Sequence, residues 1–413
     1  MRLRQFKFFL VLYLVGTLPA YVLLLWNARK LIAAGAPDFA IYYCAGTVVR
    51  QGLGHQLYDS SVRFEVEQQF AAAVPQFRGP LPYTHPPFEA LIFAPFTYLP
   101  YRQAYLVWDL FNAMLLLALL FLLRPHLPQL QSYPFPWWIL ACLAFFPIFF
   151  TFLEAQDAIL LLFLYALVLV SLKKNRFFGA GACLALGLYK YHLVLPFLLL
   201  WLFQKRKAEE KLRLLYGFLP VATLLALVSL AIAGTRAITA YPRYVLHWED
   251  ILGGSEKIAA HMPNLRGLAY IFLPPGPYLV PLLVLLSLAL LAFTTWTCRN
   301  AESFDLQFSL ALVTTVLVSY HVVSYDLSML LLPAALLANY LLAENRLRYG
   351  PAVLVLFGIA ALFFSPLQLY LSLRHKQYAL MAFVLLLWMF GIAWELSART
   401  GRKPRPETIS ATG

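Results

Sequence analysis

The chain has 413 residues, of which 62% are hydrophobic and 12% charged, with a mean hydropathy of +0.71. A soluble domain is about a quarter charged, so this composition excludes an ordinary soluble protein and predicts an all-α polytopic membrane protein. The net charge of +13 is expected from Lys and Arg retained at the inner membrane surface, and no basic face outside the membrane is available for nucleic acid.

The chain opens with a basic segment, residues 1–7, followed by the uncharged apolar run 8–26. A cleaved signal peptide is one interpretation, because residues 34–36 (Ala-Gly-Ala) offer small residues for cleavage. A signal core is usually about 7–15 residues long, which is shorter than this run. An acidic residue, Asp38, also follows closely, and we therefore favour a retained first membrane span.

A helix needs about 20 apolar residues to cross a bilayer, and ten stretches approach that length. They are residues 5–26, 104–123, 137–152, 157–172, 213–233, 277–297, 304–320, 326–342, 350–370 and 378–396. Residues 86–99 are apolar but short and hold three prolines, which favours an interfacial or re-entrant segment and leaves a crossing open. The chain reads as a single domain, 1–413, with a first outer loop at 27–103 and a second at 234–276.

Residues 177–203 are too long for one tidy span and too short for two. Lys190 lies in the middle, and basic residues flank both ends, in 173–176 and 205–213. If both flanks lie on one side of the membrane, the segment must enter and return. The pattern therefore predicts a broken helical hairpin whose two halves meet near residues 189–192. Broken helices at membrane depth line protein or water cavities and are typical of binding sites.

The distribution of Lys and Arg gives the expected topology. With both termini and the loops at 124–136, 173–176, 204–213, 298–303 and 343–349 placed inside, the inner segments carry Lys and Arg at about three times the density of the outer ones. The two long loops then face outward. No soluble catalytic domain is visible, so we expect any chemistry at the outer surface or within the membrane.

Asp38 is the first acidic residue of the chain and comes shortly after the first span. One interpretation is a helix N-cap, because Pro37-Asp38 precedes a stretch that reads as an interfacial helix. The other is a carboxylate general base beside the bilayer. One side chain can hold both roles.

Other polar residues of the predicted outer side are candidate substrate contacts, each with a structural alternative. Interfacial tyrosines are usually anchors, Asp59 stands where the next helix begins, and His85 belongs to a rigid Tyr-Thr-His-Pro-Pro turn. Asp109 is an acid within a membrane helix, and the polar residues between the spans 137–152 and 157–172 are either caps or ligands. The candidates are Tyr42, Tyr43, Tyr58, Asp59, His85, Asp109, Glu154, Gln156, Asp157, Asn264, Tyr325 and Asp326.

Lys190 is the strongest signal after Asp38, because a lysine flanked by apolar residues is costly in lipid and rarely idle. An ammonium suits phosphate, and His192, Arg266 and His321 could add to an anionic-ligand site. No HExxH or comparable spacing predicts a metal site. The four cysteines have no paired spacing that predicts a disulfide or a metal centre.

Several motifs, in order along the chain, resemble the family 87 glycosyltransferases. They are D-F-x-x-Y-Y-x-A-G from Asp38, G-x-x-L-Y-D up to Asp59, Y-T-H-P-P from Tyr83 and P-x-x-x-L-P over 95–100. Residues 180–190, followed by Pro196, resemble a further family stretch. Residues 154–157 stand where the family often has G-Q-x-N, with Glu and Asp here in place of the commoner Gly and Asn. The likeness is good over 10–205 and is one of topology beyond.

This resemblance implies a GT-C-type bundle of about 10–12 transmembrane helices whose large first outer loop carries interfacial helices. It implies inverting transfer of mannose or another hexose from a polyprenyl-phosphate sugar to a lipid-linked or glycan acceptor, with Asp38 as the catalytic base and Lys190 at the lipid phosphate. The expected place is the bacterial inner membrane, with the site facing the periplasm or exterior. No cofactor is required by the resemblance, and a divalent cation stays open.

Two other function classes remain open from the residues alone. In a lipid or sugar-phosphate transporter or flippase, Lys190 would bind phosphate only during translocation. In a ligase-like enzyme or acyltransferase, the same outer-side residues would serve a different transfer.

Overall fold

The computed structural model describes residues 2–71, 82–251, 254–343 and 349–400, and every regular element in these ranges is a helix. The α-helices α1–α20 are, in chain order, Arg2–Ala33, Phe39–Arg50, Ser60–Ala71, Pro87–Phe93, Tyr101–Leu123, Pro128–Gln131, Phe135–Ala144, Phe146–Glu154, Ala158–Lys173, Phe177–Leu186, Tyr191–Phe203, Ala208–Ile251, Ser255–Ala259, Leu265–Phe272, Leu279–Cys298, Phe304–Val318, Leu331–Ala343, Tyr349–Phe363, Ser365–Leu369 and Met381–Thr400. Of the predicted inner and outer segments, residues 1, 72–81, 252–253, 344–348 and 401–413 lie outside the described residues.

Six helices in the described part of the chain are long and apolar enough to cross a membrane, or up to eight if each of two bent pairs counts as one span. The six are Tyr101–His126, Phe177–Phe203, Ala208–Glu249, Leu279–Cys298, Ser324–Ala343 and Tyr378–Ala398. Two shorter apolar helices, α9 and α16, are buried around most of their circumference. The all-α polytopic prediction is confirmed, and the chain is an integral membrane protein.

Two of the predicted spans, 137–152 and 350–370, are bent rather than straight. Helices α7 and α8 meet at an angle of 68°, and the helices on either side of Phe364 meet at 64°. A proline, Pro147 or Pro366, lies in the first turn of the second helix in each pair. Proline has no N–H to bond the carbonyl four residues earlier, and its ring clashes with that carbonyl. The non-helical residue, Phe145 or Phe364, stands two positions before the proline, and each span breaks there.

Helix α1 packs against both bent pairs. The Tyr21 hydroxyl lies 2.6 Å from Ser365 Oγ, and the Tyr21 ring stacks on Phe149 with the ring centroids 3.9 Å apart. Tyr13 donates a hydrogen bond to the Phe363 carbonyl at 3.0 Å. The first apolar segment is therefore integrated into the bundle.

Residues 177–203 form α10 and α11, joined by the 3₁₀ turn Gly187–Lys190. A Cβ placed on Gly187 would lie 3.1 Å from the Val194 side chain, whereas residues seven apart in a straight helix are separated by about 10 Å. The two basic flanks also meet, since Lys173 and Arg206 line the same cleft. This stretch, although long enough for one span, therefore folds back on itself with Lys190 at the tip of the hairpin.

The two basic flanks, which include Lys173 and Arg206, lie together at one end of the bundle. We call this end the basic end. Lys173 Nζ lies 2.7 Å from Asp305 Oδ1, and Arg206 donates a hydrogen bond to Gln307 Oε1 at 3.3 Å. These contacts join two of the segments that the Lys and Arg count placed on the inner side to the first turn of α16, which directly follows a third, 298–303.

The two predicted outer loops meet at the opposite end, which we call the site end. Tyr241 donates a hydrogen bond to the Thr84 carbonyl at 2.8 Å, and Asn264 donates to the Ser319 carbonyl at 2.8 Å. Helix α12 reaches this end by continuing past Gly234, where φ is 69° and the helix breaks. A positive φ suits glycine, which has no Cβ to clash, so this residue sets where the span ends and the second loop begins.

Residues 86–99 do not form a crossing helix. They contain α4 and the 3₁₀ turn Ala94–Tyr98, which together are much shorter than the about 20 residues that a span requires. Helix α2 packs directly on them, because a Cβ on Gly46 would lie 2.9 Å from the Ala94 nitrogen. The segment is part of the helical layer that covers the site end.

Helices α10 and α12 cross at two glycines, and this contact gives a test of the fold. A Cβ on Gly181 would lie 1.9 Å from the Leu214 carbonyl oxygen, so we expect Gly181→Ala to push the helices apart and destabilise the protein by about 1–3 kcal/mol. Gly179→Ala is the matched control, because its Cβ meets only Ser171 Oγ at 3.8 Å and alanine favours a helix by up to about 1 kcal/mol. Thermal unfolding in detergent measures both, and equal melting temperatures for the two variants would contradict this packing.

Candidate active site

Asp38 lies directly before α2 at the site end, and its side chain does not cap that helix. Its carboxylate Oδ2 accepts a hydrogen bond from Gln156 Nε2 at 2.8 Å, and the Tyr325 side chain hydrogen-bonds the same carboxylate. The Asp38 backbone N–H donates to Glu154 Oε2 at 3.0 Å. The carboxylate is therefore held by side chains from two distant loops, remains partly exposed and is not occupied as a helix cap.

Residues 154–157 carry the partners of Asp38. Ala155 ends α8 with a positive φ of 44°, an uncommon conformation for a residue other than glycine, and the chain turns there into the site. The Gln156 carbonyl accepts hydrogen bonds from Trp108 Nε1 at 3.3 Å and Asn112 Nδ2 at 3.0 Å. The Gln156 side-chain oxygen accepts from the Tyr42 hydroxyl at 2.5 Å. This network fixes the amide of Gln156 toward Asp38.

Lys190, at the tip of the α10–α11 hairpin, is buried with 2% exposure. Its Nζ lies 2.7 Å from Asp326 Oδ1 and 3.0 Å from Asp157 Oδ1, and it also stands 5.0 Å from the centre of the Tyr325 ring. The sequence predicted a cation available to a phosphate. The ammonium is instead already paired with two buried carboxylates, because an unpaired charge at this depth costs several kcal/mol.

His85, Glu89 and Asp157 form a compact group beside Lys190, with one ligand atom of each within 4.8 Å of the others. His85 Nδ1 lies 3.0 Å from Glu89 Oε2, and the Tyr83 hydroxyl donates to the same oxygen at 3.1 Å. The Tyr58 hydroxyl donates to the His85 carbonyl at 2.8 Å. The Tyr-Thr-His-Pro-Pro turn therefore belongs to the site.

Burial shifts the acids and the imidazole of this group in opposite directions. Loss of solvation raises the pKa of Glu89 to about 7 and that of Asp157 to about 8, although the Lys190 charge opposes both shifts. Loss of solvation lowers the pKa of His85 to about 4. Burial also raises the pKa of Asp38, against its hydrogen bonds to Tyr325 and Gln156 and the Lys190 charge.

The other predicted phosphate ligands are His192, His321 and Arg266, and the two imidazoles lie near Lys190. His192 Nδ1 is 2.8 Å from Ser319 Oγ, and the His192 and His321 rings are 6.2 Å apart. Arg266 is buried and forms a two-point ion pair with Glu249, at 2.7 and 2.5 Å. The guanidinium is thus neutralised within the second loop, so it is not a free cation either.

Two predicted substrate contacts of the first loop have structural partners instead. Asp59 is exposed and accepts hydrogen bonds from the Ser61 backbone and hydroxyl at 2.9 and 2.7 Å, which caps the start of α3. The Tyr43 hydroxyl donates to the Leu99 carbonyl at 2.9 Å. Both residues hold the loop together and lie outside the group around Asp38.

Two further predicted substrate contacts also form hydrogen bonds that hold helices in place. Asp109 hydrogen-bonds Tyr105 and Asn112 on its own helix. Asn264 caps α14 by accepting from the Gly267 N–H at 2.8 Å while donating to the Ser319 carbonyl. Neither side chain contacts Asp38 or Lys190 through a hydrogen bond recorded among the described residues.

Glu89 and Glu249 were not singled out from the sequence. Glu89 lies in the first turn of α4, whereas His85 precedes that helix and the extended Pro86, so their contact could not be predicted from helical spacing. Glu89 is nevertheless an acid inside the apolar stretch 86–99, which is the same signal that identified Lys190. Glu249 had no comparable signal in the sequence around it, because its partner Arg266 lies 17 residues later, in α14.

The chain resembles one protein family over most of this site. The model of glycosyltransferase family 87 matches residues 83–320, which include the Tyr83–Pro87 turn, the 154–157 turn and Lys190, while Asp38 and Asp326 fall outside that range. Searches of the curated proteins and of the solved structures gave no match.

Proposed function

This chain belongs to glycosyltransferase family 87, and on that premise we propose that it transfers mannose or another hexose from a polyprenyl-phosphate sugar to a lipid-linked or glycan acceptor, with inversion. Its partners are then the lipid-linked donor, the acceptor and the bilayer. The proposal includes a GT-C mode of action, in which a membrane-embedded site receives a lipid-linked sugar laterally and needs no nucleotide.

The observation that carries the proposal is the position of the Asp38 carboxylate. It is partly exposed and oriented by Gln156 and Tyr325, and burial raises its pKa above the ordinary value. A general base works best when its pKa approaches the working pH. Asp38 would take the proton of the acceptor hydroxyl as that oxygen attacks the anomeric carbon and the bond to the lipid phosphate breaks on the opposite face.

Charge on the departing phosphate must be stabilised for this reaction. The charge of Lys190 reaches Asp38 and acts to lower the pKa of its carboxyl, but Asp157 and Asp326 already hold the ammonium. A donor phosphate would therefore approach a paired lysine, with His192 and His321, whose rings are 6.2 Å apart, as further donors.

We also propose that the site end faces the periplasm or exterior of a bacterial inner membrane. The support is the charge asymmetry of the bundle, because Lys173 and Arg206 lie at the opposite end and such residues are enriched on the cytoplasmic side.

Sealed vesicles that contain the purified full chain test the proposal. We expect labelled polyprenyl-phosphate mannose, with the glucose form as the comparison, to yield a glycosylated acceptor and free polyprenyl phosphate. Product should form only when the donor is on the site-end side. A chain that moves labelled lipid across the vesicle without making product would instead be a transporter, and the transferase proposal would be withdrawn.

A further inference from the structure

The group formed by His85, Glu89 and Asp157 has the spacing of a metal site. The three ligand atoms lie within 4.8 Å of one another, and the His85 Nδ1–Glu89 Oε2 distance is 3.0 Å. Nitrogen and oxygen ligands at about 2.0–2.2 Å from one ion lie roughly 3–3.6 Å apart. The group therefore needs only a small contraction around Asp157 to surround an ion.

The two carboxyl groups of this group lie against each other and lack another donor. Glu89 and Asp157 are each 1% exposed and hydrogen-bond each other through their side chains, and within the described ranges no other group donates to Glu89 Oε1 or Asp157 Oδ2. Lys190 approaches the other oxygen of Asp157, Oδ1. Buried carboxylate oxygens are acceptors that need a donor or a cation, and an ion held between these two would satisfy both.

The charge balance of the surroundings also favours a cation. Asp38, Glu89, Asp157 and Asp326 bring four carboxyl groups around one ammonium, Lys190. Buried charges are tolerated when they are paired or coordinate a metal. A donor phosphate would add further negative charge, and a divalent cation would offset it.

Two neighbouring tyrosines, Tyr83 and Tyr189, hold Glu89 and His85 in place. The Tyr83 hydroxyl donates to Glu89 Oε2, and a backbone hydrogen bond links the His85 ring to Tyr189. Histidines that bind metals with one ring nitrogen usually donate the other to a carbonyl or carboxylate. An imidazole with two carboxylates suits Zn²⁺ or Mn²⁺ better than Mg²⁺ or Ca²⁺, which prefer oxygen ligands alone.

We propose that His85, Glu89 and Asp157 bind one divalent first-row cation, Zn²⁺ or Mn²⁺, beside Lys190. In the reaction proposed above, on which this role rests, the cation supplies a positive charge that the donor phosphate can contact. Metal binding itself depends only on the three side chains.

Metal binding to the full-length protein in detergent tests the site without any sugar donor. After chelator treatment, the protein is equilibrated with Zn²⁺ or Mn²⁺, desalted, and its metal content and melting temperature are measured. We expect about one ion per chain and a higher melting temperature. His85→Ala and Glu89→Gln should each weaken binding by at least about 100-fold, whereas His55→Ala, which removes an exposed imidazole, should bind like the parent protein.

Sub-stoichiometric binding, or equal binding by His85→Ala, Glu89→Gln and His55→Ala, would overturn the site. In that case a proton shared between Glu89 and Asp157 would relieve the repulsion. If a variant fails to fold, pulsed EPR of the Mn²⁺-loaded parent protein decides, because a coordinated imidazole gives nitrogen coupling and its absence would exclude His85 as a ligand. Glycosyl transfer is assayed separately, so a bound ion that leaves transfer unaffected would refute only its catalytic role.

Discussion

Asp38→Asn is expected to abolish sugar transfer while leaving the protein folded. A positioned general base contributes about 10²–10⁴-fold to a rate, and we expect kcat to fall by that factor. Asparagine keeps the shape of the side chain and an oxygen that can accept from Gln156, whose Nε2 lies 2.8 Å from Asp38 Oδ2. Donor affinity and melting temperature should therefore change little, as expected for a group that acts only in the transition state.

Asp59→Asn is the matched control for this variant. Asp59 lies in the same outer loop, but it is exposed and caps α3 through Ser61. Asparagine is an equally good N-cap, so both stability and transfer should be retained. Full transfer activity of Asp38→Asn in the vesicle assay would show that another group removes the acceptor proton.

Lys190→Met is expected to cause the largest loss of stability among substitutions of charged residues at the site. It leaves the carboxyl groups of Asp157 and Asp326 buried without their cation, and breaking a buried pair by removing one partner costs about 3–5 kcal/mol. Transfer should be lost as well. The measurement is the apparent melting temperature of the full chain in detergent, followed by activity at a temperature where the variant is folded.

Lys173→Met is the control for Lys190→Met. It shows whether the loss of stability comes from removing an ion pair in general or from removing a buried one. Lys173 Nζ is also 2.7 Å from an aspartate, Asp305, but these side chains are 20% and 26% exposed, against 3% and 1% for Lys190 and Asp326. An exposed pair is worth about 0–1 kcal/mol, so the control should melt close to the parent protein. Equal losses in the two variants, or no recovery when Asp326→Asn is added to Lys190→Met, would refute the buried pairing.

Most of the membrane architecture could be predicted from the sequence because hydropathy is a local property. The spans 104–123, 277–297 and 378–396 correspond closely to helices in the structure. The bends at Phe145 and Phe364 were missed although each has a proline nearby. Proline at a helix start is common, so its presence alone does not distinguish a bend from a separate helix.

The candidate site could likewise be predicted only in part, namely where the signal was local. Asp38 and Lys190 were recognisable because an isolated charge in an apolar chain is expensive, whatever the fold around it. The state of each charge was not recognisable, since Lys190 and Asp326 are 136 positions apart. Asp59 and Asn264 have the same residue types as site residues, yet they serve as caps.

The sequence by itself determined the membrane class, the basic end and the isolated charged residues Asp38 and Lys190, because each follows from the free energy of placing a side chain in lipid. The tertiary structure alone decided which charges neutralise one another. It paired Lys190 with two aspartates and Arg266 with Glu249, and it brought Glu89 to His85 and Asp157. Ion pairing depends on distances of a few ångströms between remote segments, and only the packed helices fix those distances.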